Sequence, residues 1–276
     1  MNKKLVECEL GHKEHKSLLV DVNLQGESVV WDYPAIPDRL AKSFKMWVYD
    51  QPQYKYVRGL FCPGTDDVCL SLMLNKIWEG FETFLVMDLL SKRKNSNALV
   101  LDFGCQLGYF SLIAASFGCT VWAYDAFKES VDKLLLSKVE NNLSGYITTN
   151  IIWVDENTKC IDISPFKEVE LIKIDIEGAE QHAIRMCYEY IERKVVNCIL
   201  MEVSPCFNDS YPELTARIMG CGYDAFLVPG KSGPETKKRF ENDCWGTLER
   251  EFKITDVAKS FDGMYQENIM FRRIDG

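Results

Sequence analysis

Short apolar runs alternate with amphipathic segments from residue 98 to residue 273 of the 276-residue chain. This alternation is typical of a parallel β-sheet that carries helices on both faces. The first run is continuously apolar and ends at an acid, as expected of a fully buried strand. We therefore predict an α/β, doubly wound and mostly parallel sheet of seven strands, at 98–103, 120–124, 148–154, 169–175, 195–203, 223–228 and 268–273.

The segments between these strands predict the helices. Helical spacing occupies 108–117, 127–142, 177–192 and 211–219, and an apolar stripe predicts a further helix over 66–91. Segment 229–246 is rich in Gly, Pro, Lys and Glu and predicts a long surface loop. Residues 1–65 contain two possible strands (18–22 and 29–33) and many aromatics, so we expect an N-terminal extension that acts as a lid or faces the substrate, before a catalytic domain at 66–276.

The turn after the first of these strands carries the most informative motif. It reads Asp-x-Gly-x-x-x-Gly, with Asp102, Gly104 and Gly108 in the fixed positions. A dinucleotide-binding turn would read Gly-x-Gly-x-x-Gly, so that pyrophosphate approaches the helix N-terminus. An acid in this turn repels pyrophosphate and suits a ligand with a cationic amino-acid end and free hydroxyls. S-adenosyl-L-methionine (SAM) has both, and the sequence predicts it as the cofactor.

Asp125 follows the second strand, where a carboxylate can accept hydrogen bonds from both ribose hydroxyls. The alternative interpretation is a solvated strand-end acid or the N-cap of the next helix. The turn upstream favours the ribose role.

A third group of acids follows the fourth strand, in the segment that contains Asp175, Glu177, Gly178 and Glu180. Residues two apart share one face while the chain stays extended, which brings Asp175 and Glu177 together. First-turn acids also favour the helix dipole, and that explains Glu180 without a ligand. We predict catalytic roles for Asp175, Glu177 and Glu202, with Asp175 as the base that takes a proton from an acceptor hydroxyl. We expect no metal; if one is bound, these three oxygen donors would hold magnesium or manganese.

In order and spacing, these segments resemble the FkbM-type SAM-dependent methyltransferases. The resemblance rests on 102–111, 172–180 and 199–202, with Glu82 at the upstream acidic position and 267–271 as the closing strand, and covers roughly 76–272. It implies a class I methyltransferase (Rossmann-like) fold and methyl transfer to an oxygen of a sugar, glycan or other small molecule. The predicted cofactor-binding residues are Glu82, Asp102, Gly104, Gly108, Tyr109, Asp125, Asp155 and Asp175.

The sequence departs from the family at two places. Cys105 and Gln106 stand where the family usually has Ala-Asn, and Ala126 stands where Pro is common. The acids and glycines expected to bind the cofactor are unchanged. Residues 1–75 and 229–262 have no counterpart, so we expect them to select the acceptor.

Composition limits the partners. The net charge is −9 with only short basic runs, whereas nucleic-acid binding depends on phosphate neutralisation by a basic surface. No signal peptide or apolar span of membrane length is evident, and the eleven cysteines include no CxxC, which predicts a cytoplasmic protein with reduced thiols. We expect a glycan or small-molecule acceptor and no nucleic acid; methylation of RNA or protein and a non-catalytic SAM-binding module are the alternatives.

Overall fold

A computed structural model gives the fold. It describes residues 3–11, 16–22, 28–32, 34–49, 56–57, 60–61, 68, 71–72, 76–93, 97–205, 208–230 and 234–274.

The N-terminal region forms three two-stranded antiparallel pairs. The strands are β1 (Lys3–Leu10), β2 (Lys16–Val22), β3 (Ser28–Asp32), β4 (Lys42–Tyr49), β5 (Tyr56–Val57) and β6 (Leu60–Phe61). β1 pairs with β4, β2 with β3 and β5 with β6. The two predicted strands of this region are β2 and β3, whereas β1 and β4 were not predicted.

Helix α1 covers Gly80–Lys92, which is only the second half of the helix predicted over 66–91. Residues 68 and 71–72 are helical, and 66–67, 69–70 and 73–75 lie outside the described residues. A continuous helix is wrong because Lys76 and Glu79 have positive φ angles of 64° and 43°. That backbone conformation interrupts helical hydrogen bonding before Gly80.

The remaining elements are β7 (Leu99–Phe103), α2 (Tyr109–Ser116), β8 (Thr120–Asp125), α3 (Lys128–Glu140), β9 (Ile147–Ile151), β10 (Val169–Ile174), α4 (Glu180–Glu192), β11 (Val196–Val203), α5 (Tyr211–Gly220), β12 (Tyr223–Leu227), α6 (Pro234–Asn242), α7 (Cys244–Thr247), α8 (Val257–Ser260) and β13 (Glu267–Arg273). From β7 to α5 the strands and helices follow the predicted order, whereas the three short helices after β12 were not predicted.

Seven of these strands form one sheet in the order β12-β13-β11-β10-β7-β8-β9. β9, β8, β7, β10 and β11 are parallel, and β13 runs antiparallel between β11 and β12. The doubly wound, mostly parallel seven-stranded sheet is therefore confirmed. The carboxyl ends of β7, β8, β10 and β11 meet at one edge, where ligands bind in sheets of this type.

The sheet separates two apolar cores. On one face Val100, Leu171 and Leu200 pack with α1 and α2; on the other, Leu101 and Ile172 pack with α4 and α5. Alternate residues of a strand point to opposite faces, so Asp102, Lys173 and Glu202 share the face of α1 and α2. This places the charged site over that face.

Strands β1 and β4 belong to the same core as α1 and α2. Val6, Phe44 and Met46 are buried in it. The backbone of β4 is tied to α3, since Trp47 N–H donates to Ser137 Oγ at 3.0 Å and Lys45 N–H donates to Asn141 Oδ1 at 2.8 Å. The role of residues 1–65 as a lid or substrate-facing region stays a prediction.

The predicted surface loop over 229–246 is wrong for most of its length, because α6 and α7 occupy it. Pro234 begins α6, a position that tolerates its missing N–H. Phe240 is fully buried, with its ring centroid 5.0 Å from that of Phe81 and 5.6 Å from that of Phe84. One aromatic anchor thus docks a polar helix onto α1.

Cys105, Cys119 and Cys198 are buried, as predicted for core residues. No described helix is long and apolar enough to cross a bilayer.

Candidate active site

The turn between β7 and α2 folds across the end of β8. Gly104 and Cys105 both donate their backbone N–H to the carbonyl of Tyr124, at 2.8 and 3.0 Å. Gly104 has a φ of +79°, and a Cβ atom there would lie 1.7 Å from the carbonyl oxygen of Asp175. Gly108 has a φ of +87°, and a Cβ atom there would lie 2.2 Å from Leu134. The two glycines allow the turn to pack against β10 and α3.

Asp102 ends β7 and is only 1 % exposed. Ser111 Oγ donates to its Oδ2 at 2.5 Å, and Oδ1 accepts no hydrogen bond from any described residue. Burial raises the pKa of Asp102, while the nearby Lys173 and the Ser111 hydrogen bond oppose this rise. A buried carboxylate oxygen without a donor is costly and fits a ligand that brings one.

Asp125 ends β8 and clamps the turn rather than standing free. Its Oδ2 accepts from the N–H of Gln106 and its Oδ1 from the N–H of Phe127, both at 2.8 Å. Burial raises its pKa, and these two amide hydrogen bonds lower it. Each carboxylate oxygen has two lone pairs, so both can accept a further hydrogen bond.

Lys173 and Asp175 form an ion pair at the end of β10, in which the lysine is buried and the aspartate is partly exposed. Lys173 Nζ lies 2.8 Å from Asp175 Oδ2, and the two side chains are 6 % and 24 % exposed. In the strand register, Lys173 pairs with Asp102 of β7. The pair therefore lies between the turn after β7 and the acids at the end of β11.

Three acids converge next to this ion pair. One carboxylate oxygen each of Glu79, Asp175 and Glu202 lies within 4.8 Å of the other two, the arrangement that could hold a cation among the described residues. Burial, together with the charges of Asp175 and Glu79, raises the pKa of Glu202 to about 9. Burial likewise raises the pKa of Glu79 to about 8, against the opposing charge of Lys173.

Strand β13 and the residue before it supply amide partners for two of the acids. Gln266 Nε2 donates to Glu202 Oε1 at 2.7 Å, and Asn268 Nδ2 donates to Glu82 Oε1 at 3.0 Å. Glu82 lies in the first turn of α1 and is 5 % exposed. The Asn268 hydrogen bond thus links α1 to β13, and the predicted role of Glu82 in cofactor binding stays a prediction.

The turn after Asp175 is held by Glu180. Its Oε1 accepts from the N–H groups of Ile176 and Gly178, each at 3.1 Å, and its Oε2 accepts from the hydroxyl of Tyr211. Glu180 is 1 % exposed, so these bonds are shielded from water. The carboxylate of Glu180 therefore stabilises the preceding turn by accepting these hydrogen bonds, in addition to any interaction with the dipole of α4.

The remaining predicted residues are not among the three converging acids. Glu177 is exposed and has a left-handed backbone (φ 54°), so the chain does not stay extended beyond Asp175. The predicted grouping of Glu177 with Asp175 and Glu202 is therefore wrong, and Glu79 is the third acid of the group. Tyr109 is 3 % exposed and packs edge-on against Phe44. Asp155 caps its own turn, where the N–H of residue 157 donates to its Oδ1 at 2.8 Å. The roles of these residues stay predictions.

Sequence reasoning missed Glu79 and did not assign a role to Lys173. Glu79 lay inside a segment interpreted as a continuous helix, and its left-handed backbone turns it into the site. Lys173 did carry a usable signal, because a lysine within a mostly apolar buried strand must have a charged partner.

No family model matches the chain, and no curated protein matches it in sequence. Among solved structures it is similar to the methyltransferase domain of METTL16, with 11 % identity over 72 % of this chain and 70 % of that one and a TM-score of 0.47. It is also similar to an rRNA methylase from Streptococcus thermophilus (9 %, covering 68 % and 93 %, TM-score 0.44). A third is the precorrin-6y C5,15-methyltransferase from Geobacter metallireducens (11 %, covering 71 % and 91 %, TM-score 0.43).

These similarities concern the fold alone. The strand order and the single antiparallel strand β13 are those of the class I, Rossmann-like methyltransferase fold. The chain therefore has the fold of SAM-dependent methyltransferases, and its acids occupy the edge of the sheet where that fold binds ligands.

Proposed function

We propose that the chain is an FkbM-type SAM-dependent O-methyltransferase that acts on a hydroxyl of a sugar, glycan or similar small molecule. The observation that carries this proposal is Asp102, a buried strand-end carboxylate whose Oδ1 has no donor in the described structure. It lies in a glycine turn that is anchored by Asp125, one strand away from the ion-paired Asp175.

The donor set suits SAM, which supplies an electrophilic methyl group on a sulfonium when bound. Asp102 Oδ1 would accept from the cationic amino-acid end, and Glu82 adds negative charge on the α1 side. The second lone pairs of the Asp125 oxygens would accept the ribose hydroxyls. Gly104, Gly108 and Tyr109 would shape the turn around SAM. We assign Asp155 and Asp175 to the residues that line the SAM site.

Acceptor activation is assigned to the acids beyond β10 and β11. Asp175 is held as an ion pair and would accept the hydroxyl proton; a positioned base typically contributes about 10²–10⁴-fold. Glu202 and Glu79, with pKa values raised to about 9 and about 8, carry protons at neutral pH and can donate hydrogen bonds to acceptor oxygens. Glu177 stands at the exposed rim, where it would contact the far side of the acceptor.

Calorimetry with SAM tests the cofactor assignment. Asp102→Asn and Asp125→Asn should each weaken binding by about tenfold or more, the loss expected for one hydrogen bond to a charged group. Asp162→Asn is the matched control, because Asp162 is an exposed acid that only caps its own turn. Unchanged affinity in both site variants, or no SAM binding by the parent protein, would contradict the cofactor site.

Mass spectrometry of acceptors tests the reaction. Glycans, small alcohols, oligonucleotides and peptides are incubated with the protein and labelled SAM, and a methyl group is sought on each. The proposal predicts an added methyl on a hydroxyl and loss of product in Asp175→Asn with SAM affinity kept. Methylation of nitrogen in RNA or protein, or no methylation of any class despite SAM binding, would overturn the acceptor assignment.

A further inference from the structure

Lys173 is a charged residue inside a central strand, and that position is costly. It is 4 % exposed, and its neighbours in β10 are the apolar Ile172 and Ile174. Burying an isolated ammonium costs several kcal/mol unless it is paired. An apolar residue would be sufficient for packing at this position. The charge of Lys173 is therefore explained by the groups that surround it.

Those surroundings are acidic on several sides. The ammonium lies 2.8 Å from Asp175 Oδ2 and 5.1 Å from the ring centroid of Phe110, over whose face it packs. The carboxylate of Asp175 at this distance favours the protonated ammonium, so the lysine is a cation at neutral pH.

The acids next to this ammonium have the geometry of a metal site. Oxygens of Glu79, Asp175 and Glu202 lie within 4.8 Å of one another, and hard oxygen donors of this kind hold magnesium or manganese. The lysine is ion-paired with one of the three, Asp175. A divalent ion would have to share that carboxylate with the ammonium of Lys173, and two positive charges a few ångströms apart in a partly buried site repel each other.

We propose that Lys173 is a positioning residue whose ammonium is the built-in cation of the acceptor site, taking the place of a divalent metal among Glu79, Asp175 and Glu202. It orients Asp175 through a charged hydrogen bond and leaves the other oxygens for the acceptor. Methyl transfer then needs no added metal. The statement that methyl transfer needs no metal rests on the proposed function. The statement that Lys173 excludes divalent ions does not depend on it.

Manganese binding to the whole protein, followed by electron paramagnetic resonance, tests the exclusion directly. The parent protein should show only weak binding, whereas Lys173→Met, which removes the charge and keeps much of the side-chain volume, should bind Mn²⁺ at least about tenfold more tightly. Lys133→Met is the matched control, because Lys133 is an equally buried lysine (4 % exposed) in α3, outside the acid group. Glu202→Gln added to Lys173→Met should abolish the gained binding.

Turnover separates positioning from simple stability. Lys173→Met should lower kcat by about 10²-fold, the loss expected when a reacting group moves by about 1 Å. SAM affinity should change by less than about tenfold, and Lys173→Arg should recover part of kcat because it restores a cation. Chelation should leave the activity of the parent protein unchanged.

Two results would overturn the inference. One is tight Mn²⁺ binding by the parent protein that Glu202→Gln abolishes, and the other is activity that is lost on chelation and restored by Mg²⁺ or Mn²⁺. Both measurements are made on protein that keeps Lys173, so they test the inference even if Lys173→Met does not fold. If no acceptor is methylated, the proposed function fails, yet the Mn²⁺ comparison still decides whether Lys173 excludes the metal.

Discussion

At the scale of single residues, the site is a set of acids sharing one lysine. Asp102 and Asp175 lie on neighbouring strands, both face α1 and α2, and both interact with the charge of Lys173. A change at either acid therefore alters the electrostatic surroundings of the other. Effects of mutations within this group should not be additive, as is usual for residues that share a charged partner.

Gly104→Ala should be among the most damaging small substitutions. Its φ of +79° disfavours any side chain, and a methyl group there would meet the backbone of Asp175. We expect a loss of at least about 2 kcal/mol in the free energy of unfolding, measured by urea denaturation. Gly145→Ala is the control, since a Cβ atom there would have no neighbour within 4 Å and its φ is not positive; it should change stability by about 0.5 kcal/mol or less. Equal losses in both would show that the close approach at Gly104 is relieved by small shifts.

The turn after β10 gives a second residue-scale prediction. Glu180→Ala removes the acceptor for two turn amides and should lower turnover by misplacing Asp175, with a cost of about 1–3 kcal/mol in stability. Tyr211→Phe removes only the third hydrogen bond of Glu180 and should affect turnover much less. Steady-state kinetics with thermal unfolding would check both. A larger kinetic loss in Tyr211→Phe would contradict the role given to the two amides.

Some of these residues were predictable and others were not. Asp102 and Asp125 end apolar strands, and acids in that position indicate a ligand-binding edge from the amino-acid sequence alone. Glu79 could not be found this way, because its role depends on a left-handed backbone at one residue of an apolar stripe. The clamp that Asp125 makes on the turn was also not foreseeable, since the amides of Gln106 and Phe127 belong to loop geometry.

At the scale of elements, α1 is the helix on which the peripheral parts of the chain meet. Asp88 of α1 is 1 % exposed and accepts from Arg39 at 2.9 Å and from Lys92 at 2.6 Å. It also accepts from the indole N–H of Trp245 at 3.1 Å. One carboxylate thus joins the N-terminal region, α1 and α7.

Asp88→Asn should therefore loosen the peripheral elements in a pH-dependent way. Burial opposes the charge of Asp88, but the hydrogen bonds from Lys92 and Arg39 outweigh it and lower its pKa. A lowered folded-state pKa adds stability above the unfolded pKa of about 3.9, and that stability is lost as the pH falls through the folded value. We expect the variant to lose about 1–3 kcal/mol at pH 7 and to approach the parent at acid pH, measured by denaturant unfolding across pH 3–8.

Asp132→Asn is the control for that series. Asp132 makes an exposed ion pair with Lys128 within α3, and pairs of this kind contribute about 0.5 kcal/mol or less. If the stability lost in Asp88→Asn stayed constant down to pH 3, the charge of Asp88 would not be what stabilises its contacts with Arg39 and Lys92.

The elements themselves were predicted well where apolar periodicity decides them. Strands β7 to β13 begin and end within a few residues of the predicted bounds, because buried parallel strands are continuous apolar runs. Helix α6 was missed because polar residues dominate it and only Phe240 is buried. Strands β1 and β4 were missed because their partner strands are far apart in sequence, and pairing over that distance leaves no local pattern.

At the scale of the whole molecule, the β1–β4 pair and the seven-stranded sheet share a core. Residues of β1 and β4 pack with α1, α2 and α3 in one continuous apolar cluster. Two regions that share a core in this way are expected to unfold together rather than in separate steps.

Met46→Ala tests this coupling. Met46 is fully buried in β4, and its truncation should cost about 2–5 kcal/mol. The thermal transition should shift as a whole, with far-ultraviolet circular dichroism and tryptophan fluorescence following the same curve. Lys45→Ala, which removes a partly exposed ion pair with Glu140 from the same strand, should leave the curve nearly unchanged. Two separated transitions in the parent or in Met46→Ala would show that the β1–β4 pair unfolds independently of the seven-stranded sheet.

The position of β13 has a consequence for biosynthesis. It follows every other described strand in the sequence, yet it fills the gap between β11 and β12. A ribosome releases the chain from its N-terminus, so β12 stays without a neighbour in the sheet until β13 has emerged. Gln266 and Asn268 emerge at the same moment, and with them the amide groups that Glu202 and Glu82 bond. Nascent chains shorter than this point therefore carry Glu82 and Glu202 without these two donors, so the acid group at the edge of the sheet is completed only by the last described strand.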